Sequence, residues 1–202
     1  MTEAPPDLTP DPTLAFYDEA AARYAEEFDA VVDPAPLQRF MADLTPGGRV
    51  LDLGCGAGWA SAMMSAASFR VRAVDGSPGL VAQARARGVE AEVMLFQDLA
   101  ETDAYDGVFA SFSLLHAPKA EMPGHLARIR AALRPGGRLY LGMKLGDDEK
   151  RDRFNRLYAY WTEKDLRAAV EAAGFVVTET QDDAAPGMAG EVEPLIHLYA
   201  HA

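Results

Sequence analysis

A short apolar run that empties into glycine constrains this chain more than any other feature: Val50-Leu51-Asp52-Leu53-Gly54-Cys55-Gly56-Ala57-Gly58-Trp59. Apolar runs of strand length bounded by glycine fit a strand buried on both faces of a parallel sheet. Three glycines in five residues let the backbone turn sharply and pass close to a ligand where a Cβ would collide. In an open α/β sheet the ligand crevice lies at the carboxyl end of such a strand. A glycine cluster alone is also an ordinary loop, so the residues at a fixed distance beyond it decide. A second apolar run, Phe69-Arg70-Val71-Arg72-Ala73-Val74, ends in Asp75. An acid closing the second strand, about 20 residues beyond the turn, is placed to accept hydrogen bonds from ribose hydroxyls. The dinucleotide pattern G-x-G-x-x-G needs a third glycine at position 59, where this chain has Trp59.

The spacing here is G-x-G-x-G preceded by Asp52, and Leu51 to Gly58 resembles the first motif of the class I S-adenosylmethionine-dependent methyltransferases. That cofactor carries a ribose but no pyrophosphate, so no phosphate-binding turn is required. The resemblance spans Thr13 to Ala200 and is strongest from Val50 to Met143. It implies an α/β fold with a doubly wound, Rossmann-like sheet of seven strands and helices on both faces. The sheet would be mostly parallel with an antiparallel last strand, in the order 3-2-1-4-5-7-6. It also implies S-adenosyl-L-methionine as cofactor, S-adenosyl-L-homocysteine as product, and in-line methyl transfer to a small-molecule acceptor. Asp52 and the turn at Gly54, Cys55, Gly56 and Gly58 would hold the methionine end, and Asp75 with Gly76 and Ser77 the ribose. Gln97, Asp98 and Leu99 would meet the adenine, and Ser111 would wall the sulfonium.

Taken in order, residues 1–12 carry four prolines and read as a flexible tail ahead of a single domain, 13–202. Leu14, Tyr17, Ala21, Tyr24 and Phe28 recur at helical spacing. This stripe packs a core, or, as the resemblance implies, forms a lid with Tyr17 and Tyr24 over the cofactor. On the resemblance, residues 13–45 are N-terminal lid helices and 48–143 a cofactor-binding core. Ser77-Pro78 opens a helix as cap and first residue, ending near Gly88. Strands are expected at 90–96, 105–112 and 139–143, the last after the turn Pro135-Gly136-Gly137. Residues 144–161 mix both charge signs with Phe154, Tyr158, Tyr160 and Trp161, and form a candidate substrate lid. Thr162 and Asp165 make a capping pair for a helix to Ala173. Strands at 175–180 and 192–200 close the chain through a loop with Pro186, Gly187 and Gly190.

A net charge of -12 argues against nucleic acid or an anionic membrane surface as partner. No apolar run has the length of a membrane span and no basic-apolar leader opens the chain, so a cytoplasmic enzyme is the expectation. One cysteine, Cys55, rules out an internal disulfide. His116 follows the fourth strand at the reaction end and is the candidate base, with loop orientation through a backbone bond as the alternative role. His125, His197 and His201 fall within regular elements and read as structural. No metal-binding spacing and no G-x-S-x-G elbow occurs, so no metal is expected. A cofactor-binding protein without turnover and a nicotinamide-dependent oxidoreductase stand as alternatives, the second disfavoured by Trp59.

Overall fold

A computed structural model describes residues 11–29, 32–186 and 190–202, with Phe28 and Asp29 described by backbone alone. Most of the expected tail, together with Gly187, lies outside the described residues. The first helix, α1 (Pro12–Asp29), and α2 (Ala35–Ala42) precede the sheet. Then β1 (Arg49–Leu53), α3 (Trp59–Ala66), β2 (Arg70–Asp75), α4 (Pro78–Ala86) and β3 (Ala91–Val93) alternate. They are followed by β4 (Tyr105–Ser111), α5 (Met122–Ala132) and β5 (Leu133–Lys144). The chain closes with β6 (Glu149–Arg151), β7 (Leu157–Ala159), α6 (Glu163–Ala172), β8 (Val176–Pro186) and β9 (Val192–His201).

Among the described residues, seven strands form one sheet in the order β3-β2-β1-β4-β5-β9-β8, and β6 pairs β7 in a separate hairpin. With that hairpin set aside, this is the order implied by the resemblance. Strands β1 to β5 are parallel, and β9 runs antiparallel between β5 and β8. Alternation along each strand sorts side chains to two faces. Leu51, Leu53, Val108, Leu139, Leu141, Ile196 and Leu198 pack with α5 and α6. On the opposite face Val50, Phe109, Tyr140 and Tyr199 pack with Leu37 and Phe40 of α2 and Ala60 and Met64 of α3. Asp52 and His197 alternate onto this second face, which fixes where their chemistry is available.

Three boundaries differ from the sequence expectation, each for a reason in the ladder. Strand β3 stops at Val93 because its partner β2 ends opposite, at Asp75. Strand β5 begins at Leu133, with residues 134–137 looped out where Tyr105↔Leu133 jumps to Gly107↔Arg138. Strand β8 runs on to Pro186 because β9 continues to pair with it, through Asp183↔Leu195, Ala184↔Pro194 and Pro186↔Val192. Leu195 of β9 lies opposite Lys144, the last residue of β5, so this two-stranded extension projects past the carboxyl end of the sheet. None of the described helices is long and apolar enough to cross a membrane.

Candidate active site

The glycine turn is held open by contacts that only glycine permits. Gly54 has φ +80°, and a Cβ there would lie 2.2 Å from the Ser113 Cβ. The Ser113 hydroxyl donates to the Leu53 carbonyl at 2.6 Å, so the end of β4 is fastened against the end of β1. Gly58, with φ +81°, starts α3 against Ala84 of α4. Phe112, just past β4, also has a positive φ, +51°, and its N–H donates to the Gly142 carbonyl. Backbone held in this region by a residue with a side chain is a recurrent mark of functional sites.

Two cavities meet at these strand ends. The smaller, about 340 Å³, is lined by Gly54, Gly56, Asp75, Gly76 and Gln97, with Leu80, Met94, Leu95 and Phe96 as an apolar slot. The larger, about 450 Å³, holds Asp52, Cys55, Trp59, Tyr140, Lys144, Tyr158 and His197 among its walls. Tyr17, Tyr24, Gly54, Gly56, Ser111 and Phe112 line both. Gly58, Ser77, Asp98 and Leu99, implied as cofactor residues, line neither cavity. Gly58 and Ser77 act one step back: the Ser77 hydroxyl caps α4 by accepting from the Leu80 N–H at 3.2 Å. Asp98 points to solvent at the end of a single turn of 3-10 helix, while Leu99 is buried in the core.

Asp75 suits a ribose. Its two oxygens accept from the Gly56 and Ser77 N–H groups, both at 2.9 Å, which locks the carboxylate plane and leaves lone pairs toward the cavity. Burial raises its pKa and those backbone donors counteract the rise. Asp52 is buried under α3, where the Ser61 hydroxyl donates to it at 2.6 Å. Burial pushes its carboxyl up to about 7, with the Ser61 bond opposing. Burial likewise raises the Cys55 thiol, so it is no thiolate. A carboxylate clamp beside an apolar slot, and a glycine turn with no room for a Cβ, fit a ribose joined to a flat base.

Helix α1 covers the smaller cavity. Leu14 sits over Gly76, where a Cβ would meet its Cδ2 at 2.8 Å. Asp18 accepts from the Gly79 N–H at 2.5 Å, tying α1 to the start of α4. At the other side the Thr13 hydroxyl oxygen accepts from the Leu157 N–H at 3.0 Å. The Tyr17 hydroxyl accepts from Arg156 Nη1 at 3.1 Å and lies 2.9 Å from His116 Nε2. His116 Nδ1 stands 2.6 Å from the Leu157 carbonyl, which can only accept, so Nδ1 carries the ring proton and Nε2 receives the Tyr17 proton. Burial drives the His116 pKa down to about 4. His116 therefore does make a backbone bond, to the hairpin that carries Arg156. That guanidinium is buried, paired with Asp152 at 2.6 Å and set 4.7 Å from the Phe16 ring centre.

A second tyrosine–histidine pair, unmarked in the sequence, faces the larger cavity. The Tyr140 hydroxyl lies 2.8 Å from His197 Nδ1, and His197 Nε2 lies 3.3 Å from Asp183 Oδ2. The carboxylate takes the Nε2 proton and leaves Nδ1 as the acceptor. The Ala184 N–H holds the Asp183 pKa low, aided by His197. Burial raises that of Tyr140, against a hydrogen bond from Ser111. Nothing in sequence brought residues 140, 183 and 197 together, because their meeting depends on the β8–β9 extension. His125 also lines the smaller cavity; neither of its buried nitrogens has a hydrogen bond, and Glu121 stands 3.5 Å from Nε2.

The sequence profile of a family described as "Methyltransferase domain" matches residues 19–180. The chain belongs to this methyltransferase family. Curated relatives include a "Ubiquinone biosynthesis O-methyltransferase" of Xanthomonas oryzae, 38% identical over 104 residues, covering 47% of this chain and 42% of that protein. Another of that description, from Xanthomonas axonopodis, is 37% identical over 120 residues, covering 54% of this chain and 49% of that protein. The methyltransferase chain thus spans about half the length of the curated relatives it matches. Among solved structures, a Burkholderia thailandensis 1,6-didemethyltoxoflavin-N1-methyltransferase, solved with that compound and S-adenosylhomocysteine bound, superposes with a TM-score of 0.70. It is 25% identical, over 99% of this chain and 92% of that one. A methyltransferase from Methanosarcina mazei shares the fold at a TM-score of 0.71 and 18% identity, over 80% of this chain and 95% of that one.

Proposed function

We propose that this methyltransferase moves the methyl group of S-adenosylmethionine to a small-molecule acceptor held in the larger cavity. The observation that carries the reading is the meeting of two unlike cavities at Gly54, Gly56, Ser111 and Phe112. One is built around a carboxylate and an apolar slot, the other around aromatic rings. S-Adenosylmethionine is the cofactor, and when bound it supplies an electrophilic methyl on a sulfonium. Asp75 holds the ribose, the Gly54–Gly56 backbone and Asp52 the methionine end, and the slot from Leu80 to Gln97 the base. The rings of Tyr17 and Tyr24, 5.5 Å apart and edge to face, exclude water where the cavities join. Orientation of this kind is worth about 7–11 kcal/mol when fully realised.

An acceptor hydroxyl or protonated amine must also lose a proton. Proton removal is assigned to Tyr140 and His197 rather than to His116. A carboxylate, Asp183, faces His197 Nε2, whereas the group behind His116 is an uncharged backbone carbonyl and burial, aided by Arg156, keeps the His116 ring neutral. The acceptor proton passes to Tyr140 Oη as the Tyr140 proton passes to His197 Nδ1.

Thermal-shift measurements with S-adenosylmethionine, S-adenosylhomocysteine, NADH and NADPH test the cofactor. Ligand at 100 times its dissociation constant adds about 2.7 kcal/mol, or roughly 5–10 °C for a chain of this size. A shift with the two adenosyl compounds alone is expected, and a shift with a nicotinamide compound alone overturns the reading. Release of S-adenosylhomocysteine during acceptor screening then separates turnover from binding without turnover.

A further inference from the structure

The balance of charge around the larger cavity bears on which acceptors enter it. This inference rests on the cavity's being the acceptor site. Two cations reach its wall, Lys144 and Arg156, and both are occupied. The Lys144 ammonium is paired with Glu193 and lies 3.8 Å from the Tyr158 ring centre. Glu193 is held for this pairing, since its other oxygen accepts from the Tyr160 hydroxyl at 2.9 Å. Arg156 is paired with Asp152 and enclosed by the rings of Phe16, Tyr17, Phe154 and Tyr158. The acids differ. Asp33 accepts from the Ala35 N–H and Asp183 from the Ala184 N–H, with His197 Nε2 at 3.3 Å from Asp183, and among the described residues neither is paired with a Lys or Arg. Of the other acids on this wall, Glu27 stands 3.9 Å from Arg23 and Asp52 accepts from the Ser61 hydroxyl. Residues 1–10, 30–31 and 187–189 contain no Lys, Arg or His, so no side-chain cation stands outside the described residues. Much of the remaining wall is apolar, with Tyr24, Trp59, Phe112 and Tyr158 presenting rings beside aliphatic side chains such as Leu37 and Leu195.

We infer that the larger cavity selects an aromatic acceptor bearing a basic, protonated nitrogen, and turns away acceptors bearing a carboxylate. A carboxylate entering here meets Asp33 and Asp183 and finds both cations engaged, so it gives up its hydration without a partner. A protonated amine meets the Asp33 and Asp183 side chains and ring faces, which attract cations. The closed Lys144–Glu193 pair is the selecting element, because it withholds the one ammonium that an acidic acceptor needs.

The test is calorimetric titration of three matched phenols into the full chain saturated with S-adenosylhomocysteine. Tyramine carries the cation, para-cresol is neutral and para-hydroxyphenylacetate carries the anion. Tyramine should bind at least about tenfold more tightly than the anion, with para-cresol between them. Glu193→Gln releases Lys144 and should tighten the anion about tenfold while weakening tyramine. Asp183→Asn should weaken tyramine alone. Binding of the anion as tightly as tyramine, an unaltered order in Glu193→Gln, or no heat from any of the phenols overturns the inference. Failure of S-adenosylhomocysteine to bind overturns the cofactor reading itself, and the inference with it.

Discussion

Two tyrosine–histidine pairs border the cavities, and they are wired in opposite senses. In the Tyr17–His116 pair the imidazole is backed by the Leu157 carbonyl, and the phenol sits beside the buried Arg156. Burial keeps that ring neutral with a pKa near 4; the guanidinium adds to the effect, and the uncharged Leu157 carbonyl only partly offsets it. In the Tyr140–His197 pair the imidazole is backed by the Asp183 carboxylate. The same two side chains therefore make a fastening in one place and, on the proposed reading, a proton acceptor in the other. The difference comes from the third group, not from the pair.

The sharpest way to break this comparison is His197→Gln. Turnover should fall by about 10²-fold, the order that proton transfer contributes, with affinity for S-adenosylhomocysteine within about twofold of wild type. An equal fall in His116→Gln, without any change in cofactor affinity, would reverse the two roles. Tyr17→Phe removes the hydroxyl between Arg156 and His116 and should weaken S-adenosylhomocysteine by about tenfold in calorimetry, the worth of about one buried hydrogen bond. Asp183→Asn keeps an acceptor for Nε2 and loses the charge; it should lower turnover less than His197→Gln.

The smallest effects concern stability against pH, read from thermal melts. His116 has a folded pKa near 4, below the usual value of about 6.5, so the unfolded chain binds more protons in between. Stability should fall as pH drops from 6.5 toward 4, and His116→Gln should flatten that fall. Asp52 acts in the other direction. Its carboxyl, raised to about 7, keeps its proton in the folded state while the unfolded chain gives it up. Its contribution therefore declines as pH rises from about 4 to about 7, by up to about 1.4 kcal/mol per unit. Asp52→Asn should remove that decline and keep the Ser61 bond.

How much of the molecule is legible in its sequence depends on how local the cause is. The β1 turn, Asp75 and the Ser77 and Thr162 caps are set by residues within a few positions of one another, and the sequence pattern places them. The extended β8 and the loop-out before Arg138 are set by partner strands far along the chain, so no local signal marks them. Asp98 shows the same limit: it follows the third strand as expected, yet the turn there points Gln97 to the cavity and Asp98 to water. The β6–β7 hairpin is hidden by its mixed charges, which mark residues 144–161 as a candidate lid but carry no alternating strand pattern. Its apolar contribution is a buried Arg156 stacked among rings, a position that hydropathy scores as surface. His197 reads as structural because it lies within a strand, yet a polar residue alternating onto the α2–α3 face, as Asp52 does, reaches the cavity.

The anchoring of α1 carries a consequence for timing. Asp18 ties the helix to α4, while Thr13 and Tyr17 tie it to the hairpin, so the cover over the smaller cavity is held from both sides. If the smaller cavity holds the cofactor as proposed, release of spent cofactor is expected to follow the parting of these ties, an event indifferent to which acceptor was methylated. Turnover is then expected to show a fast first cycle followed by a slower steady pace common to all acceptors. A product burst in rapid-mixing experiments, with a later phase that Asp18→Ala hastens, is the signature of that clock.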